Sequence, residues 1–171
     1  SFGKPAWHEQ VSREVDYAHQ QAAIFDLSSF GKISITGSDA ESFLNRVCSN
    51  DMTRPPGRAI YTAMLNERGG YESDLTALRM ADDEYRLYVG TSAIRRDLAW
   101  LRRNLYKGEQ VEIYDQTDEF AVLGLMGPMA ADIANQLGAA ELNQLGYFCW
   151  CEANIAGIPV QAARLSYVGE A

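Results

Sequence analysis

The stretch Tyr61-Thr-Ala-Met-Leu65-Asn66-Glu-Arg-Gly69-Gly70-Tyr71-Glu-Ser-Asp74-Leu75-Thr-Ala-Leu-Arg79 decides how the chain is read. Residues 61–65 and 75–79 carry strand-forming side chains, and 66–70 form the tight turn between them. The paired glycines supply positive φ without the Cβ penalty. Asp74 enters the second arm beside apolar residues, where aspartate is a poor strand former. An acid in that place is either solvated or holds something.

Working outward from this hairpin, residues 7–25 space Val11, Val15, Ala18 and Ala22 as one face of a helix. The run 25–31 breaks it, and Ile33 and Ile35 alternate as a strand over 32–36. Ser38 and Glu41 make a capping box for a helix that carries Phe43, Leu44 and Val47 on one side. A loop with Pro55 and Pro56 leads into the hairpin. Beyond it come a strand over 85–90, an amphipathic helix over 91–106 and a short strand over 111–114. In that helix Ile94, Leu98, Leu101 and Leu105 point inward, with Arg95, Arg96, Arg102 and Arg103 outward.

A second cycle then begins. Residues 120–126 read as a strand, Gly127-Pro128 opens a helix through 137, and 147–155 and 160–165 read as strands. Both cycles run strand, glycine turn, helix, strand, strand. The fold class is α+β, a weak internal duplication of a βαββ unit. The first unit spans 1–116. The second, 117–171, is expected to be incomplete, and the sequence to be a piece of a longer protein.

The chain has 171 residues, 47% hydrophobic and 22% charged, as a soluble globular protein should be. No apolar run approaches the ~20 residues of a membrane helix, and no signal-peptide pattern stands at the start. A membrane partner and secretion are therefore not expected. A net charge of −8 argues against a nucleic-acid partner, whose phosphates need a concentrated basic surface. Cys48, Cys149 and Cys151 form an odd set without C-x-x-C spacing and read as thiols in a reducing compartment.

Other motifs carry little chemistry. His8 and His19 share a helix face with no partner pattern for a metal. No Gly-x-Ser-x-Gly elbow is present. Gly124 and Gly127 fit a helix-opening turn better than a dinucleotide loop. The arginine face of the long helix is a solvated surface or a contact for an anionic ligand tail. Asp74 is the residue that stands out.

At the hairpin the sequence resembles the glycine-cleavage T-protein family of folate-binding aminomethyltransferases. Four matches occur in order: residues 25–32 (Phe-Asp-Leu-Ser-Ser-Phe-Gly-Lys), 61–75, 123–130 (Leu-Gly-Leu-Met-Gly-Pro-Met-Ala) and 164–170 (Arg-Leu-Ser-Tyr-Val-Gly-Glu). Gly-Gly-Tyr-Glu-Ser-Asp-Leu and Ser-Ser-Phe-Gly are more similar to the folate domains of dimethylglycine and sarcosine dehydrogenases or oxidases.

The resemblance implies the T-protein folate-binding fold, with two ferredoxin-like βαββ subdomains, and a C-terminal barrel domain that this chain lacks. It implies tetrahydrofolate as cofactor, and FAD only in an upstream domain outside this chain. Asp74 is implied as the catalytic, folate-site carboxylate, with Phe30, Tyr61 and Tyr167 as further cofactor-binding residues. A second pocket glutamate is implied beyond residue 171. The implied activity passes a one-carbon unit from an N-methylated glycine derivative, dimethylglycine or sarcosine, to tetrahydrofolate, although the isolated piece is expected to be inactive. Alternatives are a folate-dependent demethylase of a methyl sulfonium or methoxy substrate, and a non-catalytic regulatory relative. Expected partners are folate and a small amine, with oligomers possible through the open edge of the second unit. The expected location is a bacterial cytoplasm or a mitochondrial matrix.

Overall fold

A computed structural model describes residues 3–167. The hairpin is present as β3 (Ala59–Leu65) and β4 (Tyr71–Ala81), each longer than its apolar arm suggests. Around it lie α1 (His8–Gln20), β1 (Ala23–Asp26), β2 (Gly31–Thr36), α2 (Ala40–Val47), β5 (Glu84–Val89), α3 (Ile94–Arg103) and β6 (Glu112–Asp115). The chain continues through β7 (Leu123–Met126), α4 (Ala130–Gln136), a 3-10 turn at Ala140–Gln144, β8 (Cys149–Ile155) and β9 (Ile158–Arg164).

β3, β4, β5, β2 and β6 form one antiparallel sheet in that order. Strand alternation gives this sheet two unlike faces. Its inner face presents Ile33, Ile35, Leu75, Ala77, Tyr85, Leu87 and Val89 to Phe43 and Leu44 of α2 and Leu101 of α3, all almost fully buried. Burying each of the larger of these side chains stabilises the fold by roughly 1.5–3 kcal/mol. Its outer face carries polar and aromatic residues, Asp74, Thr76, Arg86 and Tyr88 among them, and holds the site.

The capping box does not form. The residue that precedes α2 is Asp39, and no side chain caps the helix. Glu41 instead meets the buried Arg79 guanidinium at 2.6 Å, and the Asp39 carboxylate accepts from the Gln110 amide at 2.8 Å. Tertiary partners outcompete the local cap. In the hairpin turn only Gly69 adopts positive φ. Gly70 is needed for closeness, since a Cβ there would stand 2.7 Å from Asn66 Nδ2.

The two cycles match in backbone detail. Gly37 (φ +125°) follows β2 and Gly127 (φ +115°) follows β7, and a Cβ on either would collide with a backbone carbonyl oxygen. Their sheets differ. β7 pairs with β1 and β8 pairs with β9, as two separate ladders. The pairing of β1 with β7 crosses the boundary expected at residue 116 and ties the start of the chain to the second unit. From residue 117 onward only Ala134 and Ala139 are buried among the described residues. No helix among the described residues is long and apolar enough to cross a membrane. Cys48, Cys149 and Cys151 are all free thiols.

Candidate functional site

Asp74 and Tyr61 meet on the outer face because of register. Tyr61 pairs with Thr76, and Ala63 with Asp74, so the tyrosine lies diagonally across from the acid. The Tyr61 hydroxyl donates to Asp74 Oδ2 at 2.9 Å. A second phenol, Tyr71, addresses the same carboxylate from the turn side. The hydroxyls of Tyr71 and Tyr61, in that order of effect, hold the Asp74 carboxyl below the usual carboxylate range. The phenols respond in the opposite sense: Tyr61 is raised, and Tyr71 is pushed up to about 12, by the negative charge that they donate to. At neutral pH the site is one anion beside two neutral phenols, with Tyr61 bonded to it.

Tyr167 reaches this face from the second unit. Its ring stands 5.5 Å from that of Tyr61, edge to face, and its hydroxyl bonds to Thr76 Oγ1 at 2.5 Å. Such an aromatic pair adds about 0.5–1.5 kcal/mol beyond its area. Behind it, Arg86 of β5 bonds to Gln161 of β9 and to Gln116. The site therefore lies where the end of the second unit crosses the outer face of the first sheet.

Phe30 stands two strands away from Asp74. Gly31 pairs with Val89, and Val89 with Leu75, so Phe30, Gly90 and Asp74 continue one row across three strands. Two strand spacings put the Phe30 backbone about 10 Å from that of Asp74. Gly90 stands between them, and a Cβ there would meet nothing within 4 Å. The sheet surface between Phe30 and Asp74 is therefore uncovered at Gly90, and we call this open strip the trough. Phe30, 39% exposed, marks one end, and the Asp74 carboxylate marks the other.

A model for the GCVT N-terminal domain matches residues 1–171. The chain belongs to that family. This GCVT N-terminal domain is 34% identical over 168 residues to an aminomethyltransferase of Bacillus subtilis, covering 97% of the chain and 46% of the relative. It is 28% identical over 170 residues to the aminomethyltransferase of Thermosipho melanesiensis, covering 99% and 47%. The chain thus spans about half the length of the curated relatives it matches. Among solved structures it superposes on the glycine cleavage system aminomethyltransferase T of Bartonella henselae with a TM-score of 0.77 and 26% identity, over 92% of this chain and 42% of that one. A chain of the heterotetrameric sarcosine oxidase of Corynebacterium sp. U-96, in complex with pyrrole 2-carboxylate, shares the fold at 16% identity and a TM-score of 0.62, over 96% and 82%. The α+β fold is that of the T-protein.

Two residues of this domain's site escape a reading by alternation. Tyr71 is three positions from Asp74 and would be assigned to the opposite face. Asp97 looks like one more charge on a solvated helix, yet it is 1% exposed. Ser73 donates to its Oδ2 at 2.7 Å, which fastens β4 to α3 directly beneath Asp74. A charge on the Leu98 and Leu101 side of an amphipathic helix was the available signal. The Val168-Gly169-Glu170 part of the fourth motif lies outside the described residues.

Proposed function

We propose that this chain is the tetrahydrofolate-binding part of an aminomethyltransferase-type protein that transfers a one-carbon unit from a small N-methylated amine. The observation that carries this reading is the Asp74 carboxylate, kept ionised by phenol hydroxyls at the end of an open trough. A reduced pterin fits these residues. It offers N–H donors to an anionic acceptor and a flat ring to the walls of Tyr61 and Tyr167, and Gly90 leaves the floor clear. Folate supplies the nucleophilic nitrogen.

Asp74 accepts a hydrogen bond at the reacting end and stabilises positive charge that develops there. One such preorganised group contributes about 3 kcal/mol to a transition state. Tyr61 orients the carboxylate and, with Tyr167, shields one side from water. Phe30 bounds the far end of the trough. Holding acceptor and donor together on this face supplies a further share of the rate.

For the donor we favour an N-methylated glycine derivative such as dimethylglycine or sarcosine, on the Gly-Gly-Tyr-Glu-Ser-Asp and Ser-Ser-Phe-Gly forms of the motifs. The similarity in fold to a sarcosine oxidase chain agrees with this choice. In that case a flavin domain lies upstream in the full-length gene, and sequencing that gene tests it. The names of the curated relatives point instead to an aminomethyl group of the glycine-cleavage type, and an upstream region without a flavin domain would favour them.

The direct test is Asp74→Asn in the full-length protein. Calorimetric titration with tetrahydrofolate and a methylene-transfer assay should each show a loss of roughly tenfold or more with the melting temperature retained. Unchanged binding and transfer would reject the assignment.

A further inference from the structure

Regular alternation would put Tyr71 and Asp74 on opposite faces of β4. A β-bulge prevents this. Leu65 pairs with Tyr71, Met64 with Ser73 and Ala63 with Asp74, so Glu72 is an extra residue facing the step between Met64 and Leu65. Leu65 and Ala63 share a face of β3, and their partners Tyr71 and Asp74 therefore share one as well. Bulges of this type re-aim side chains. This one is fixed on both sides. Asn66 Nδ2 donates to the Glu72 carboxylate at 2.8 Å, and Ser73 donates to the buried Asp97 at 2.7 Å.

We infer that Tyr71, turned onto the outer face by this bulge, is a positioning residue that fixes the Asp74 carboxylate before folate arrives. The proposal rests on the folate reading of Asp74 given above. Tyr71 is 63% exposed, so its ring contributes little to the core, and the register puts it on the face that carries the carboxylate. The other groups about the pair are Tyr61 from β3 and Tyr167 against the Tyr61 ring, while the charge of Arg96 acts from α3, where its guanidinium is bonded to Asp97. The Arg96 guanidinium opposes, in part, the upward push on the Tyr71 phenol. With Tyr61 bonded to Oδ2 and Tyr71 brought to the same face, the acid is held toward the trough. Preorganised acceptors of this kind need no rearrangement during the reaction.

The test is Tyr71→Phe in the full-length protein, with the Asp74 carboxyl followed by carbon-13 NMR through a pH titration. Asp74→Asn identifies the signal. The hydroxyl lost is an exposed one, so the fold should be kept. The Asp74 titration should move to higher pH, and the acid limb of the kcat/KM profile should move with it. A purely structural role would shift the melting temperature and leave both limbs in place. Conversely, Asp74→Asn should bring the Tyr71 phenol down from about 12 toward the ordinary tyrosine value. Coincident Asp74 titrations in wild type and Tyr71→Phe, or an unmoved Tyr71 phenol in Asp74→Asn, would overturn the proposal. Failure of the folate reading is seen separately, as unaltered tetrahydrofolate binding by Asp74→Asn, because the NMR titrations need no ligand.

Discussion

Asp74 stands on the open side of a sheet whose other side is closed by two helices. Solvent meets most of the charge, so little opposes its ionisation, and two phenol donors favour the anion. At neutral pH it is an anion that accepts the Tyr61 hydroxyl. The neighbouring Gly90 supplies a second test. Its Cβ position is open and its φ lies outside the left-handed region. Gly90→Leu should therefore fold, with stability within about 0.5 kcal/mol of wild type, while the new side chain occupies the trough. Tetrahydrofolate affinity in the full-length protein should fall roughly tenfold or more, about 1.4 kcal/mol. Calorimetric titration beside a thermal melt checks both halves, and unchanged affinity would move the trough elsewhere. The place of Asp74 within β4 was legible in the sequence, because an acid among apolar strand residues stands out. Tyr71 was not, since only a bulge unites the two faces and no residue type announces one at Glu72. Asp97 was hidden for a related reason: helical spacing gave its position, while the buried hydroxyl of Ser73 that justifies a charge there is distant in sequence.

Among the elements, the β8–β9 hairpin carries a local misfit. Ile155 pairs with Ile158, which leaves a two-residue turn at Ala156-Gly157. Ala156 holds φ +52° and Gly157 φ +85°, the signs of a type I′ turn. Alanine is a poor residue for that region, whereas asparagine visits it readily. Ala156→Asn should raise stability by roughly 1 kcal/mol, the lower end of the left-handed cost that asparagine in part avoids. Scanning calorimetry of the full-length protein should show a higher melting temperature, and a lower one would mean that the turn relaxes to another form. The elements that sequence revealed best are those with their own periodicity: α2, α3, β2, β5 and the hairpin. β1 was missed because Ala23-Ile-Phe-Asp26 directly follows a helix and becomes a strand only by pairing with β7. The capping box at Ser38 failed because Glu41 found a buried guanidinium instead.

The whole molecule has an acid-sensitive charge pattern. Asp26, Asp51, Asp74 and Glu109 all titrate below their ordinary values, held by Ser28, Thr53, the two phenols and Arg46 respectively. Each is lowered on folding, so the stability it contributes is complete above the ordinary carboxylate range near about 4. That contribution is lost as pH falls through the lowered values. Melting temperatures followed by circular dichroism from neutral pH to about pH 2 should be flat at first and then decline. A rise on acidification would contradict the assignment. At this scale the sequence showed the duplication of the βαββ unit but not how its strands assemble, because pairing partners far apart leave no local trace. The β1–β7 ladder joins residues roughly a hundred positions apart. Ribosomes add about 5–20 residues each second, so β1 is made on the order of 5–20 s before its partner exists. Throughout that interval a nascent chain carries one unpaired strand edge, and the first unit can close its sheet while β1 still waits for β7.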